Sequence, residues 1–288
     1  MSVLKRILSI LTGLFMVFML AACNETAKPV NEPAANNETS AAEEKPSELT
    51  LQEVLEKSTE ASNNLKSFSV NMNLDQDMTS DQEEMNMKTQ SVIEMNVVTD
   101  PMAFYQKMTM SLGEESFESE SYFSEEGMYL FDPGSQQWMK FPQEMTDTFL
   151  QMAGQQTNPG DELKKLEKFV DDFTFEQDSK NYILKLKASG EKFSDFIKET
   201  AAEALPPEMA AEELMNNMKI HGVEYEFVID KESFYPVALE MTMDMEMTVE
   251  DQTISLNQKM NGKYSNHNNI KTITIPQEVI DSAMDIPL

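Results

Sequence analysis

The chain has 288 residues, with 51 Asp+Glu against 22 Lys+Arg, a formal charge of −29, 24 Met, two His and one Cys. One cysteine cannot make an intramolecular disulfide or a cysteine-rich zinc site, two histidines leave little for a histidine-built metal centre, and so acidic a chain repels nucleic-acid phosphates. With 40% hydrophobic residues it can still bury a real core, and its length allows one or two domains.

The chain opens with a basic pair, Lys5 and Arg6, then an apolar run from Ile7 to Leu20, then Leu20-Ala21-Ala22-Cys23. The run is too short and too early for a spanning helix, and its flanks are those of a signal peptide. Leu20-Ala21-Ala22-Cys23 resembles a bacterial lipobox. That resemblance implies a lipoprotein signal peptide over 1–22 and a diacylglycerol on the Cys23 thiol. The mature chain is then attached to the outer, extracytoplasmic face of the cell membrane. Loss of Lys5 and Arg6 leaves 20 basic against 51 acidic side chains, a charge of −31. Anionic headgroups repel such a chain, so the lipid is expected to hold the membrane while the polypeptide stands off it. Residues 23–48 carry the cysteine and then Asn, Glu, Ala, Pro, Ser and Thr with almost no large apolar side chain. They read as a disordered polar tether, with a reach of roughly 25–30 Å for a flexible coil of that length.

The folded domain is expected over 49–288. Thr50-Leu51-Gln52-Glu53 is a capping box, and Leu51, Val54, Leu55, Ser58, Ala61, Ser62 and Leu65 recur at helical spacing, so a helix is expected over 50–65. The period then becomes two. Phe68, Val70, Met72, Leu74 and Met78 alternate with polar residues. Met85, Met87, Ile93, Met95 and Val97 continue the pattern, and so do Met102, Phe104, Met108, Met110 and Leu112 after Pro101. With Phe117–Phe123, Met128–Phe131 and Gln137–Phe141 this predicts a meander of about six antiparallel strands. Helices are expected over 142–155, 159–170, 191–204 and 208–217, and strands near 172–177 and 181–188. Val223–Ile229 alternates again. Val237, Leu239, Met241, Met243, Met245, Met247 and Val249 make the most regular strand of the chain. Ile254, Leu256, Met260 and Tyr264 follow, and Ile273–Ile280 reads as a last strand stopped by Pro276. Segregated blocks of strands and helices predict an α+β fold: a large antiparallel sheet with helices on one face. The Met-rich blocks 68–112 and 237–264 share a pattern and fit either two parts of one sheet or a duplication.

Three features together resemble the lipoproteins of the LolA/LppX/RseB-like group, and closely the Firmicute-type lipoproteins carrying a domain of unknown function. These are the lipobox with its tether and helix, Leu65-Lys66-Ser67-Phe68 running into a long strand, and the ending Ile273-Thr274-Ile275-Pro276-Gln277-Glu278-Val279. The resemblance covers roughly 49–285. It implies a half-barrel, a strongly curved antiparallel sheet with helices packed on its concave side. It also implies binding of acyl chains or lipidated proteins there, or envelope sensing. It carries over no functional residue.

No catalytic constellation is present: no Gly-x-Ser-x-Gly, phosphate loop or His-Glu-x-x-His. No cofactor or metal is expected, and no enzymatic activity. His221 and His267 read as strand-start and turn residues. Asp75, Asp77, Thr79, Asp81 and Glu83 imitate a calcium loop, but Ser80 occupies the position that needs glycine and Asn86 that of the bidentate Glu. They read as acidic turn residues.

The methionines carry three readings. Met is most often core filler; unbranched thioethers also make a pliable apolar binding surface, and they can capture Cu(I). Met72, Met85, Met87, Met95, Met108, Met110, Met241, Met243, Met245 and Met247 are the candidate lining of a cavity for a lipid, acyl chain or other apolar ligand. The alternative is a protein-interaction or envelope-sensing module with an envelope protein as partner and no small-molecule ligand.

Overall fold

The computed structural model describes residues 28–29, 48–81, 86–113, 115–147, 172–189, 193–195, 198, 217–249 and 252–286. Their strands form one thirteen-stranded sheet. In spatial order these are β1 (Lys28–Pro29), β8 (Phe173–Gln177), β9 (Asn181–Ala188), β10 (Met218–Asp230), β11 (Pro236–Val249), β12 (Gln252–Ser265), β2 (Ser67–Ser80), β3 (Met87–Thr99), β4 (Met102–Leu112), β5 (Glu115–Ser124), β6 (Gly127–Asp132), β7 (Gln137–Lys140) and β13 (Met284–Asp285). Neighbours run antiparallel except at the two edges, where β1 lies parallel to β8 and β13 parallel to β7. Two helices are described over their full length, α1 (Leu51–Asn63) and α2 (Gln277–Ser282). The expected large antiparallel sheet and the six-strand meander, β2 to β7, are both present. The two Met-rich blocks are parts of one sheet, joined where β12 pairs with β2.

The signal peptide, Cys23 and Met85 lie outside the described residues. Within the segment expected to be a tether, Lys28 stands opposite Glu176 and Pro29 opposite Gln177. The four helices expected over 142–217 fall mostly outside the described residues; 143–147 and 193–195 are helical.

Helix α1 begins where the capping box predicts. Thr50 Oγ1 accepts the Glu53 N–H at 3.2 Å, and Glu53 Oε2 accepts the Thr50 N–H at 2.8 Å. That backbone hydrogen bond is the chief reason the Glu53 carboxyl titrates below its ordinary value. Leu51, Val54, Leu55 and Ser58 fall on one buried face, and the apolar three join the core built by the inward residues of β2, β3 and β8–β12. Lys57 Nζ lies 5.2 Å from the centre of the Phe234 ring, which stacks on Tyr182 at 6.2 Å. The helix therefore docks beside the β10–β11 turn.

The corner between α1 and β2 is stapled by the turn after β12. Asn268 sits in the left-handed region at φ 60. Its Oδ1 accepts the Lys66 N–H at 2.7 Å, its Nδ2 donates to the Tyr235 hydroxyl at 2.9 Å, and its backbone N–H donates to Ser67 O at 2.7 Å. Ser67 is fully buried, and its Oγ accepts the Ile270 N–H at 3.0 Å.

The expected last strand is a correction. Residues 270–276 make no strand, and Pro276 is the N-cap of α2. Ile275, Val279 and Ala283 recur every four residues, which suits a helical turn, and the fixed φ of proline favours a helix start. Ile275 and Val279 are buried against Tyr129, with Tyr122 and Trp138 beside them. By strand alternation those rings lie on the face opposite the methionines.

The β8–β9 turn is held by Asp178. Burial pushes its carboxyl up, but the Lys180 N–H, the Asn181 amide groups and the charge of Lys231 outweigh it, and the group titrates below 3.8. Lys231 Nζ also donates to Asp178 O at 2.5 Å.

Two predictions follow from these joints. Asn268→Ala loses two side-chain bonds and forces a Cβ-bearing residue without Asn's tolerance into the left-handed region; a loss of about 2 kcal/mol is expected in urea denaturation. Asn268→Gly, which keeps the conformation, recovers about 1 kcal/mol of that loss. Because the folded Asp178 value is depressed, its contribution is present above the unfolded value of 3.8 and is lost as pH falls through the folded value. Asp178→Asn is expected to flatten the stability–pH curve in that window, measured as denaturation midpoints, and to leave its shape near neutrality unchanged.

Candidate functional site

The inward residues of six strands, β10, β11, β12, β2, β3 and β4, align in rows across the sheet, because side chains alternate and the register is continuous. One row is Phe227, Leu239, Gly262, Met72, Ile93 and Met108. The next is Tyr225, Met241, Met260, Leu74, Ser91 and Met110. The third is Val223, Met243, Gln258, Gln76, Thr89 and Leu112. On the shorter fourth row, Met245 and Leu256 lead to Met78 and Met87. Nine of the ten candidate methionines therefore share one face of one sheet; Met85 lies outside the described residues.

Their burial is graded. Met72, Met241, Met243, Met245 and Met247 are no more than 8% exposed. Met87, Met95, Met108 and Met110 are half-buried. Beyond them Leu112 and Phe117 are about two-fifths exposed, at 39% and 40%. The face is sealed across β10–β12 and opens over β4 and the Phe117 end of β5, while Ile93 and Val97 on β3 and Phe123 on β5 stay buried. Methionines stand directly opposite one another at Met218–Met247, Met241–Met260 and Met78–Met87. Such pairs bring the two side chains into packing range across neighbouring strands.

Periodicity did not flag a polar chain inside this face. Gln76 Nε2 donates to Gln258 Oε1 at 3.1 Å, and Thr89 Oγ1 donates to Gln76 Oε1 at 3.4 Å. Gln258, Thr89 and Ser91 are buried. The signal was available: Gln76 sits in phase with Leu74 and Met78, and Gln258 with Leu256 and Met260. Two amides in phase with apolar positions on adjacent strands satisfy one another at small net gain, whereas one alone would be costly.

The opposite face is polar and carries a groove of about 800 Å³. Its walls are two cross-strand rows. One holds Lys187, Glu224, Thr242, Lys259, Asp75 and Gln90; the other holds Asp244, Asn257, Asp77 and Lys88. Lys187 pairs with Glu224, Lys88 with Asp77, and Gln90 donates to Asp75 at 2.8 Å. Of the ten candidate methionines, Met243 alone borders this groove.

The remaining candidates are dispersed. Asp75, Asp77 and Thr79 are alternate outward residues of the extended strand β2 rather than a turn, so they cannot wrap an ion. His221 falls where the β10–β11 register shifts between Ile220 and Gly222, with Nε2 3.7 Å from Glu246. His267 stacks on Tyr235 and its Nε2 lies 3.1 Å from Pro236 O; burial holds its value down against that carbonyl and Asp230. Among the described residues, no group of three His, Cys, Asp or Glu side chains could hold a metal ion. No described helix is long and apolar enough to cross a membrane. On the outer face of β4–β5, Tyr105 donates to Glu120 at 3.1 Å, and burial together with that carboxylate pushes the phenol to about 12.

The polar chain is testable by a double-mutant cycle. Gln258→Met alone strands the Nε2 group of the half-buried Gln76 and is expected to cost about 1 kcal/mol. Gln76→Met added to it is expected to restore most of that loss, read from urea midpoints.

A family model, the family of unknown function DUF6612, matches residues 50–284, and the chain belongs to that family. Among solved structures, a beta-barrel-like protein of domain of unknown function DUF1849 from Brucella abortus is 10% identical, covering 70% of this chain and 98% of its own, at a TM-score of 0.21. A DUF1329 family protein from Desulfovibrio piger is 6% identical, covering 76% of this chain and 92% of its own, also at 0.21. Neither score is high enough for the folds to superpose. No curated protein matches the chain.

Proposed function

We propose that this member of the family is a membrane-anchored extracytoplasmic lipoprotein, held by lipid on Cys23, that binds an acyl chain or other apolar molecule without catalysis. In this reading the sheet is a LolA/LppX-like half-barrel, and the methionine face is its concave, ligand-facing side. The observation that carries the proposal is the gradient along that face. Methionines run continuously across the sheet, buried at one end and half-buried at Met87, Met95, Met108 and Met110. Thioethers repack around ligands of different shape at small cost, because the side chain is unbranched and polarisable. A face meant only as core gains nothing from staying half-open. The lipobox, the signal-peptide flanks and the absence of catalytic motifs support the same reading.

A second reading, a protein-interaction or envelope-sensing module, is favoured by the groove on the polar face, whose paired lysines and carboxylates suit an extended polar partner.

Native mass spectrometry after gentle extraction is expected to show a co-purifying lipid, and a fluorescent fatty acid to titrate into the protein. Met108→Glu and Met110→Glu, at half-buried positions, are expected to weaken that titration at least tenfold, about 1.4 kcal/mol, with an unchanged circular dichroism spectrum. A ligand-free protein that ignores fatty acids, yet captures a membrane protein through the groove lysines, would replace the first reading with the second.

A further inference from the structure

Among the described residues, the N-terminal segment meets the sheet at Lys28–Pro29, and it does so on an edge. Lys28–Pro29 runs parallel to β8, the strand that would otherwise end the sheet. Lys28 is five residues from Cys23, and five residues of extended chain span at most about 17 Å. While β1 is paired, a lipid on Cys23 and the β8 edge are therefore close neighbours. A free tether of the whole segment would impose no such limit.

The distribution of charge points the same way. From Phe173 to Ala188, the β8–β9 edge, there are two acids, Glu176 and Asp178, and three lysines, Lys180, Lys185 and Lys187. From Met218 to Ser265 there are nine acids and four lysines; from Ser67 to Glu126 there are thirteen acids and two lysines. Along the spatial order β8, β9, β10, β11, β12, β2, β3, β4, β5 the charge thus runs from slightly positive to strongly negative. The opposite edge, β6–β7 with α2 and β13, holds Asp132, Glu278, Asp281 and Asp285 against Lys140, so the edge that receives the N-terminal segment is the part of this acidic sheet that an anionic bilayer repels least.

Resting on the lipid-anchored reading, we infer that β1 is a latch that holds the domain edge-on at the membrane, with β8–β9 facing the anionic headgroups and β2–β5 turned away. A two-residue ladder is weak in isolation, but both partners belong to one chain, so closure is intramolecular. Of the two β1 residues, Lys28 alone has a backbone N–H to offer β8, because Pro29 has none.

The test uses the full lipidated chain in vesicles of phosphatidylglycerol and phosphatidylcholine. Amide exchange of the β8 peptide is expected to rise at least fivefold in Lys28→Pro and to stay at the parent rate in Lys28→Gln, which keeps the N–H. With Cys23 acylated, an introduced cysteine is the only thiol. Thr174→Cys on β8 and Gln137→Cys on β7, both exposed, then carry a dye for energy transfer to labelled headgroups. Ten interstrand steps separate β8 from β7, about 48 Å along the sheet. Transfer from position 174 is expected to exceed that from 137 at least fivefold, and Lys28→Pro to remove the difference. Equal transfer from both positions in the parent, or β8 exchange indifferent to Lys28→Pro, overturns the latch. An N-terminal peptide without acyl chains would overturn the anchor instead, and the exchange measurement on that chain would still decide whether β1 docks.

Discussion

Twelve residue pairs along the β12–β2 seam, from Ile254 opposite Ser80 to Ser265 opposite Ser69, join the two ends of the chain. Everything on either face depends on their register. Side chains alternate with a period of two, so a slip of one residue would turn Met72, Leu74 and Met78 toward solvent and bury Asp75 and Asp77. The register is fixed from both sides. Leu256 against Met78 and Met260 against Leu74 gain only in the observed phase, and so does the Gln258–Gln76 bond. At the end of the seam, Asn268 and Ser67 bind the turn after β12 to the start of β2, and that corner also seats α1. One seam thus positions the helix, the methionine face and the polar groove together.

The methionines divide by position. On β11 and β10 they are core: Met218 and Met245 are at most 3% exposed, and replacing such side chains by smaller ones would leave cavities in a packed interior. On β3 and β4 the same residue type lies half-open, where flexibility costs less and adaptability gains more. The two roles belong to opposite ends of one surface. The Gln76–Gln258–Thr89 chain crosses its middle and gives an otherwise interchangeable apolar face a fixed polar mark.

Much of this was legible in the residues. Alternation of apolar and polar side chains placed β2–β12 because each strand has one buried face, and Thr50 with Glu53 marked the helix start because the cap is a local interaction. The misreadings also have physical causes. Ile273–Ile280 is rich in β-branched residues, but its burial is decided by contact with Tyr129, Tyr122 and Trp138, which are distant in sequence, and Pro276 starts a helix there. Asp75, Asp77 and Thr79 read as a turn because they are polar, whereas they form the outward half of a strand whose inward half is apolar. The groove was not visible at all, since it is assembled from residues of seven strands that are distant in sequence. Nor was β1: Lys28 and Pro29 have no strand signature, and their pairing depends on what β8 leaves open.

An open sheet of this breadth has two edges, and each presents unpaired N–H and C=O groups to any passing strand. Here each edge is closed by a terminal piece of the same chain, Lys28–Pro29 on β8 and Met284–Asp285 on β7. Both pieces are only two residues long and run parallel, so neither adds much to folding. Their effect is on what the edge can accept. The β7 side is further blocked by α2, whose Val279 lies against Tyr129. Among the described residues, the β8 side has β1 and the lysine-rich surface of β9. The two edges are therefore unequal: one is closed by packing, the other by a short pairing that a neighbouring surface or strand can displace. Among the described residues, an asymmetry of this kind leaves β8 the more accessible of the two edges, and it is the edge on which Lys28–Pro29 lies.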